Sequence, residues 1–206
     1  SKRKYSPDTG WDVTFTNSLL VHLGRVDFTS AIGKFSYYYP KIVTRNKNKV
    51  IKTGLTSPDT ITMHKYLQIL KKKNIDNVII EASSHGLDQE RLHHINFKAG
   101  IFTNFSRDHL DYHKTMKSYL NAKLILFRKI LKKNSCILLN KEIDEFISLK
   151  KIAKKRSLKL IEISEITKKI KNVSWDYDSK FKIINLSMAI AAAKVCGLKS
   201  KNIFKS

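Results

Sequence analysis

Short continuous apolar runs alternate along this chain with longer stretches whose apolar residues recur every three or four positions. The runs Asn77-Val-Ile-Ile-Glu-Ala82, Ala99-Gly-Ile-Phe-Thr103, Ser135-Cys-Ile-Leu-Leu-Asn140 and Leu158-Lys-Leu-Ile-Glu162 predict buried strands. Pro58 opens a helix whose stripe is Ile61, Tyr66, Leu67, Ile69 and Leu70 and which ends in Lys71-Lys-Lys73. Residues 115–131 predict a long helix, 142–155 a second, and 183–196 an alanine-rich third closed by Gly197 as its C-cap. Strands alternating with helices predict an α/β fold, a mostly parallel sheet with helices on both faces. Residues 1–12 are polar and ragged, and 13–206 read as one domain, long enough to bury a full core. Residues 13–39 show no clear period, and 163–182 are polar and read as a loop.

The formal net charge of +23 changes this picture at the surface. A polyanion is the first partner it brings to mind, because Lys and Arg release counterions from phosphates. The lysines are spread along the whole chain, however, and the densest runs, 71–73 and 150–156, fall at the ends or outer faces of predicted helices. A solvated cationic face is the reading adopted, with no specific nucleic-acid partner, and attraction of a small anionic substrate is compatible with it. Cys136 and Cys196 sit far apart in apolar contexts, which predicts two buried free thiols and not a disulfide or metal pair. The chain opens without a signal-peptide pattern and contains no apolar stretch long enough to span a bilayer, so a cytoplasmic location without a membrane partner is expected.

Candidate chemistry gathers just past two of the strands, in Glu81-Ala-Ser-Ser-His-Gly-Leu-Asp-Gln-Glu-Arg91 and Thr103-Asn-Phe-Ser-Arg-Asp-His-Leu-Asp-Tyr-His113. The carboxyl ends of parallel strands are where open α/β sheets bind ligands. Glu81 at a strand end is either paired or holds a cation, since an isolated buried charge is costly. Asp108 and Asp111, on either side of His109, suit a hard cation such as Mg²⁺, or they favour the N-terminus of a following helix. His85 either orients a ligand or closes its turn, and a hydrolase triad of Ser84, His85 and Asp88 fails because neighbours in sequence do not aim at one another. Tyr119, Lys123 and Phe127 share one helix face at spacings of four, among Met116, Leu120, Leu124 and Leu131. Lys123 either snorkels to water or is buried with a lowered pKa, and a neutral amine reacts with carbon dioxide to give an anionic carbamate.

These residues closely resemble the central, ATP-binding domain of the Mur ligases, a relative of the phosphate-loop NTPases, and in particular the branch that adds the third amino acid. The motifs that carry the resemblance are Thr53-Gly-Leu-Thr-Ser-Pro-Asp59, the two runs above, Tyr119-Leu-Asn-Ala-Lys-Leu-Ile-Leu-Phe127 and Asn185-Leu-Ser-Met-Ala-Ile-Ala-Ala191. The resemblance implies an ATP- and Mg²⁺-dependent ligase of peptidoglycan precursor synthesis. ATP phosphorylates the side-chain carboxylate of UDP-N-acetylmuramoyl-L-alanyl-D-glutamate, and a diamino acid attacks the acyl phosphate to form an amide. By the same resemblance, Glu81 and His109 are magnesium ligands and Lys123 joins them as a carbamate. Thr56, Ser57, Ser83, Gln89 and Arg91 contact the UDP-muramoyl dipeptide, and Asn104, Asp108 and Asn185 lie on the nucleotide side. The chain departs from the family at its phosphate loop. Val13-Thr-Phe-Thr-Asn-Ser18 stands where the loop is expected, with Phe15 at its first glycine and no Gly-Lys-Thr after it. The stretch from Phe127 to Asn185 is shorter than the family's, and the resemblance covers a truncated central domain without flanking ones. The alternative is therefore a catalytically inactive remnant or binding module of the same fold. Whether the diamino acid is diaminopimelate or lysine is not legible in these motifs.

Overall fold

The computed structural model describes the backbone at 19–23, 36–39, 41–43, 50–52, 57–72, 77–171 and 180–197, and side chains at 57–72, 77–170, 180 and 183–197. The strands are β1 Leu19–Leu23, β2 Ser36–Tyr39, β3 Lys41–Val43, β4 Val50–Lys52, β5 Val78–Glu81, β6 Ala99–Phe102, β7 Cys136–Leu139 and β8 Lys159–Glu162. They form one sheet in the order β4-β3-β2-β5-β1-β6-β7-β8. The pairs from β2 to β8 are all parallel, and β3 and β4 add an antiparallel edge beyond β2. β1 runs between β5 and β6, with His22 level with Glu81 on one side and Ile101 on the other. The loops after β5 and β6 therefore leave the sheet at the same edge, on either side of β1.

The helices are α1 Thr60–Lys72, α2 Ser84–Asp88, α3 Leu110–His113, α4 Met116–Ile125, α5 Phe146–Lys155, α6 Ser164–Lys171 and α7 Lys180–Val195. Alternation along each strand splits the core in two. Val78, Ile80, Phe102, Ile137 and Leu139 face α1, α4 and α5, which contribute Met63, Leu67, Leu124 and Leu149. Ile79, Ala99, Ile101 and Leu138 face α6 and α7, where Ala189, Ala191, Ala192 and Ala193 let the helix lie close to the sheet. The expected α/β sheet with helices on both faces is what forms. At the end of α7, Gly197 takes φ +82°, as its predicted C-cap role requires.

α4 continues into a single π-helical turn, Leu126–Ile130, closed by Leu131 N–H donating to Leu126 O at 2.9 Å. The wider turn lets Leu126, Phe127 and Leu131 all bury completely. Arg156 fastens its end, with Nη2 donating to Leu131 O at 2.9 Å. The turn rests on Gly100 of β6, where an added Cβ would lie 3.0 Å from Phe127 Cε1 and 3.1 Å from Leu131 Cδ1.

Several expectations need correcting. The stretch 13–39 holds β1 and β2, which are defined by pairing with β5 and β6 and not by a period of their own. Residues 163–182, expected to be a loop, contain α6. Its lysines mask Ile163, Ile166 and Ile170, spaced three and four apart and turned inward. In α1 the inward residues are Met63, Leu67 and Leu70, whereas Ile61 is 69% exposed. The helix starts at Thr60 because the Asp59 side chain accepts from Thr62 N–H at 2.9 Å. α5 starts at Phe146 and not 142, because Asn140 Oδ1 accepts from Glu142 N–H at 3.2 Å and begins a turn. Both cysteines are free, as expected, but half-buried rather than buried. The expectations for residues 1–12 and for the stretch at 13–18 lie outside the described residues.

Gly100→Ala is expected to destabilise the chain by about 1–2 kcal/mol, since three core side chains must give way to one methyl. Urea unfolding checks it, and an unchanged midpoint would mean that the π turn has slack over β6.

Candidate active site

Glu81 ends β5, and the chain turns at once into α2. Ser83, in extended conformation, caps that helix, its Oγ accepting from Gly86 N–H at 3.0 Å. Ser57, fully buried just before α1, ties the turn together. Its Oγ donates to Glu81 O at 2.9 Å, accepts from Ser83 N–H at 3.1 Å and lies 3.0 Å from Ser83 Oγ. Gly86 makes this possible, because a Cβ there would sit 2.6 Å from Ser57 Cβ and 2.8 Å from its Oγ. Arg91 closes the arrangement. Its Nη1 donates to Ser57 O at 2.8 Å and its Nη2 to Gln89 Oε1. Gln89 Nε2 donates to Tyr112 OH at 3.2 Å, and that hydroxyl donates to Asp88 Oδ2 at 2.9 Å. Ser57, Ser83, Gln89 and Arg91, expected together, do form one hydrogen-bonded network. Thr56 lies outside the described residues.

Past β6, His109 takes a left-handed conformation, φ 53°, just ahead of α3. Asp108 holds it there, with Oδ1 accepting from His109 N–H at 2.8 Å and Oδ2 standing 3.6 Å from Nε2. Asp108 thus fastens the residue before the helix and does not cap the helix itself. A non-glycine residue in this region carries strain of the kind that gathers at functional sites. The His109 ring meets His85 edge-on at 5.1 Å and Tyr119 at 5.7 Å. His113 stacks on Tyr119 at 5.3 Å. Burial, then the neighbouring imidazoles, pushes the pKa of both His85 and His113 down.

Lys123 settles its own alternative by being buried, only 7% exposed, with its amine 5.1 Å above the Tyr119 ring. Burial pulls its pKa down to about 8, and the carboxylates of Glu81, Asp108 and Glu145 pull the other way without prevailing. Tyr119 thus touches the amine on one side and His109 on the other, and its own burial raises its hydroxyl to about 12. Sequence reasoning missed Glu145, which faces Lys123 from the start of α5, well past the end of β7, where no local signal marks it. Asn104 is exposed in the loop after β6. Asn185 is half-buried on α7, across the sheet from Lys123, so the structure does not bring it into this cluster.

Among the described residues, no group of three or more His, Cys, Asp or Glu side chains is placed to hold a metal ion. The donors around Lys123 suit a divalent cation only if that ammonium becomes an anion. The arrangement as it stands offers a buried amine that sheds its proton easily, facing carboxylates, beside a rigid hydroxyl and guanidinium network.

A family profile described as the Mur ligase middle domain matches residues 28–195. The chain belongs to the Mur ligase family. A Zymomonas mobilis protein named UDP-N-acetylmuramoyl-L-alanyl-D-glutamate--2,6-diaminopimelate ligase is 40% identical over 142 residues, 69% of this chain and 29% of that protein. A Rickettsia bellii protein of the same name is 39% identical over 137 residues, 62% of this chain and 29% of that protein. Among solved structures, one titled for the same ligase superposes with a TM-score of 0.64 at 20% identity, covering 91% of this chain and 45% of that one, which speaks to the fold. The chain spans about 29% of the length of these curated relatives. For a Mur ligase middle domain, the Ser57–Ser83–Arg91 network and the Lys123 cluster meet at the sheet edge where ligands are expected.

Gly86→Ala is expected to cost at least about 2 kcal/mol, and Ser57→Gly in the same chain to recover much of it by removing the opposing Cβ. Urea midpoints of the two single variants and the double variant measure the coupling, and additive costs would refute the contact. Lys123 gives a second expectation. Its folded pKa lies below the unfolded value of 10.5, so between about pH 8 and 10.5 the unfolded chain binds more protons. Stability should therefore gain on the order of 1–3 kcal/mol from this group as pH rises through that window. Lys123→Met should flatten the rise, and an identical pH profile would mean that the amine is solvated.

Proposed function

We propose that this chain supplies the central domain of an ATP-dependent ligase that joins a diamino acid to UDP-N-acetylmuramoyl-L-alanyl-D-glutamate. The observation that carries the reading is the buried Lys123 amine facing Glu81 and Asp108, in a chain that is 40% identical over 142 residues to a protein named for that reaction. The names of the relatives favour diaminopimelate over lysine as the diamino acid. No described helix is long and apolar enough to cross a membrane, and cytoplasmic action fits water-soluble substrates.

In this reading Ser57, Ser83, Gln89 and Arg91 hold the dipeptide. Arg91 offers a planar fork suited to a carboxylate, and its guanidinium is held in place by Ser57 O. The neutral amine of Lys123 adds to carbon dioxide, forming a nitrogen–carbon bond and releasing one proton to solvent, and the resulting carbamate is an oxygen donor. Glu81, His109 and that carbamate would hold Mg²⁺, with Asp108 keeping the His109 backbone in its left-handed conformation. When bound, ATP and Mg²⁺ would supply the phosphoryl group that activates the substrate carboxylate and the charge that screens it. Asn104, Asp108 and Asn185 fall on the nucleotide side by resemblance alone.

A second reading, a binding module without ligase activity, is favoured by one feature of the sequence. No Gly-Lys-Thr or Gly-Lys-Ser occurs in the chain to cradle phosphates. Calorimetric titration with Mg²⁺ and a non-hydrolysable ATP analogue separates the two. Saturable binding near micromolar supports the ligase, and none from a folded chain supports the module. Carbamate formation has its own readout. Carbon-13 NMR of the chain in labelled bicarbonate should show one carbamate resonance that Lys123→Ala removes, and its absence from the parent chain would overturn the assignment of Lys123.

A further inference from the structure

We propose that the outer face of α4 is a second anion site, selective for small molecules that carry a diphosphate, and separate from the Lys123 cluster. A groove of about 450 Å³ lies there, lined among others by Asp88, Lys117, Ser118, Asn121, Arg128 and Lys129. The positions 117, 121 and 128 follow one helical stripe, while Tyr119, Lys123 and Phe127 on the opposite side face the core. None of the groove's residues takes part in the reaction proposed above.

The charge balance of the groove is cationic. Lys117, Arg128 and Lys129 face one carboxylate, Asp88, which already accepts the Tyr112 hydroxyl at 2.9 Å. Among the described residues none of these three cations forms an ion pair. Arg128 is also held in place, since its Nη1 donates to Asn121 Oδ1 at 3.1 Å. That contact fixes the guanidinium plane, and a planar fork suits phosphate oxygens. Arg128 and Lys129 sit on the π turn, a feature found often at functional sites.

The convergence of the two cations favours a polyanion. Arg128 Nη1 reaches back to Asn121, which stands four residues and roughly 6 Å of helix rise from Lys117, so both cations border one stretch of the groove. A diphosphate carries more charge and more acceptor oxygens than a lone phosphate and so engages both cations more fully. The volume falls within the range of small-molecule sites. The exposed Ser118 and Asn121 add neutral hydrogen-bonding groups between the charges.

The lysine run on α5 differs in its setting, since Lys154 and Lys155 are exposed in the last turn of that helix and lie outside this groove. That difference supplies the control. The chain is titrated with inorganic pyrophosphate at fixed ionic strength while backbone amide shifts are followed. Saturable changes should centre on Lys117, Ser118, Asn121 and Arg128, and orthophosphate should bind about tenfold more weakly. The pair Arg128→Gln with Lys129→Gln should weaken pyrophosphate about tenfold, while Lys154→Gln with Lys155→Gln, an equal loss of charge, should change it less than twofold. Equal weakening by both pairs, or shifts spread over every lysine-bearing helix, would overturn the site in favour of diffuse attraction. ADP and UDP form further arms. Equal affinities indicate recognition of the diphosphate itself, a preference identifies the source, and failure of both to bind where pyrophosphate does would overturn a nucleotide-sized ligand. Binding here requires neither Mg²⁺ nor Lys123, so it persists in Lys123→Ala even if the ligase reading fails.

Discussion

The desolvation of one ammonium group governs the arrangement of the sheet edge. Lys123 sits 7% exposed in an otherwise apolar layer, where an unpaired charge would cost several kcal/mol. The fold offsets part of that cost from three directions. Glu81 comes from the end of β5, Asp108 from the loop after β6 and Glu145 from the start of α5, and the Tyr119 ring lies beneath the amine. Parallel pairing of β5, β1, β6 and β7 brings these carboxylates to one edge, so the chemistry depends directly on sheet topology.

Holding α4 at the right height and phase is the second half of that constraint. Two glycines set it, one on each side of β1. Gly100 lets the π turn lie against β6, and the wider turn brings Leu126, Phe127 and Leu131 into the core together. Gly86 lets α2 settle onto Ser57, which fixes the Ser83 hydroxyl and the Glu81 carbonyl. A side chain at Gly86 would press on Ser57 and Ser83, and one at Gly100 on the π turn. The aromatic stack of His113, Tyr119 and His109 then transmits the position of α4 to the loop after β6.

The legible parts of the chain were those where one element buries its own residues. The runs at 78–81, 99–102 and 136–139 are apolar on both faces, and each forms a strand within a residue or two of its expected ends. Glu81 and Lys123 stood out because charge in an apolar context calls for a reason. The elements that were hidden depend on partners distant in sequence. β1 and β2 are defined by β5 and β6, and no local period announces them. α6 hides Ile166 and Ile170 among lysines, and α1 turns Met63 inward in preference to Ile61. Glu145 was invisible because its role comes from the Asn140 turn, which delays α5 and leaves that carboxylate at the helix start.

A pKa of about 8 is a compromise with chemical consequences. At pH 7 it leaves roughly a tenth of the amine neutral, about three hundred times the share expected at the unshifted value of 10.5. Deeper burial would free more neutral amine, while closer carboxylates would restore the charge and suppress it. Carbamate formation would then replace the cation among Glu81, Asp108 and Glu145 with another anion. Such a cluster is unfavourable on its own and becomes favourable when a divalent cation joins it. In the proposed ligase, lysine modification and Mg²⁺ binding are therefore thermodynamically coupled, each raising the affinity for the other. The surrounding net charge of +23 does not replace that ion, because exposed lysines are screened within about 8 Å at physiological salt.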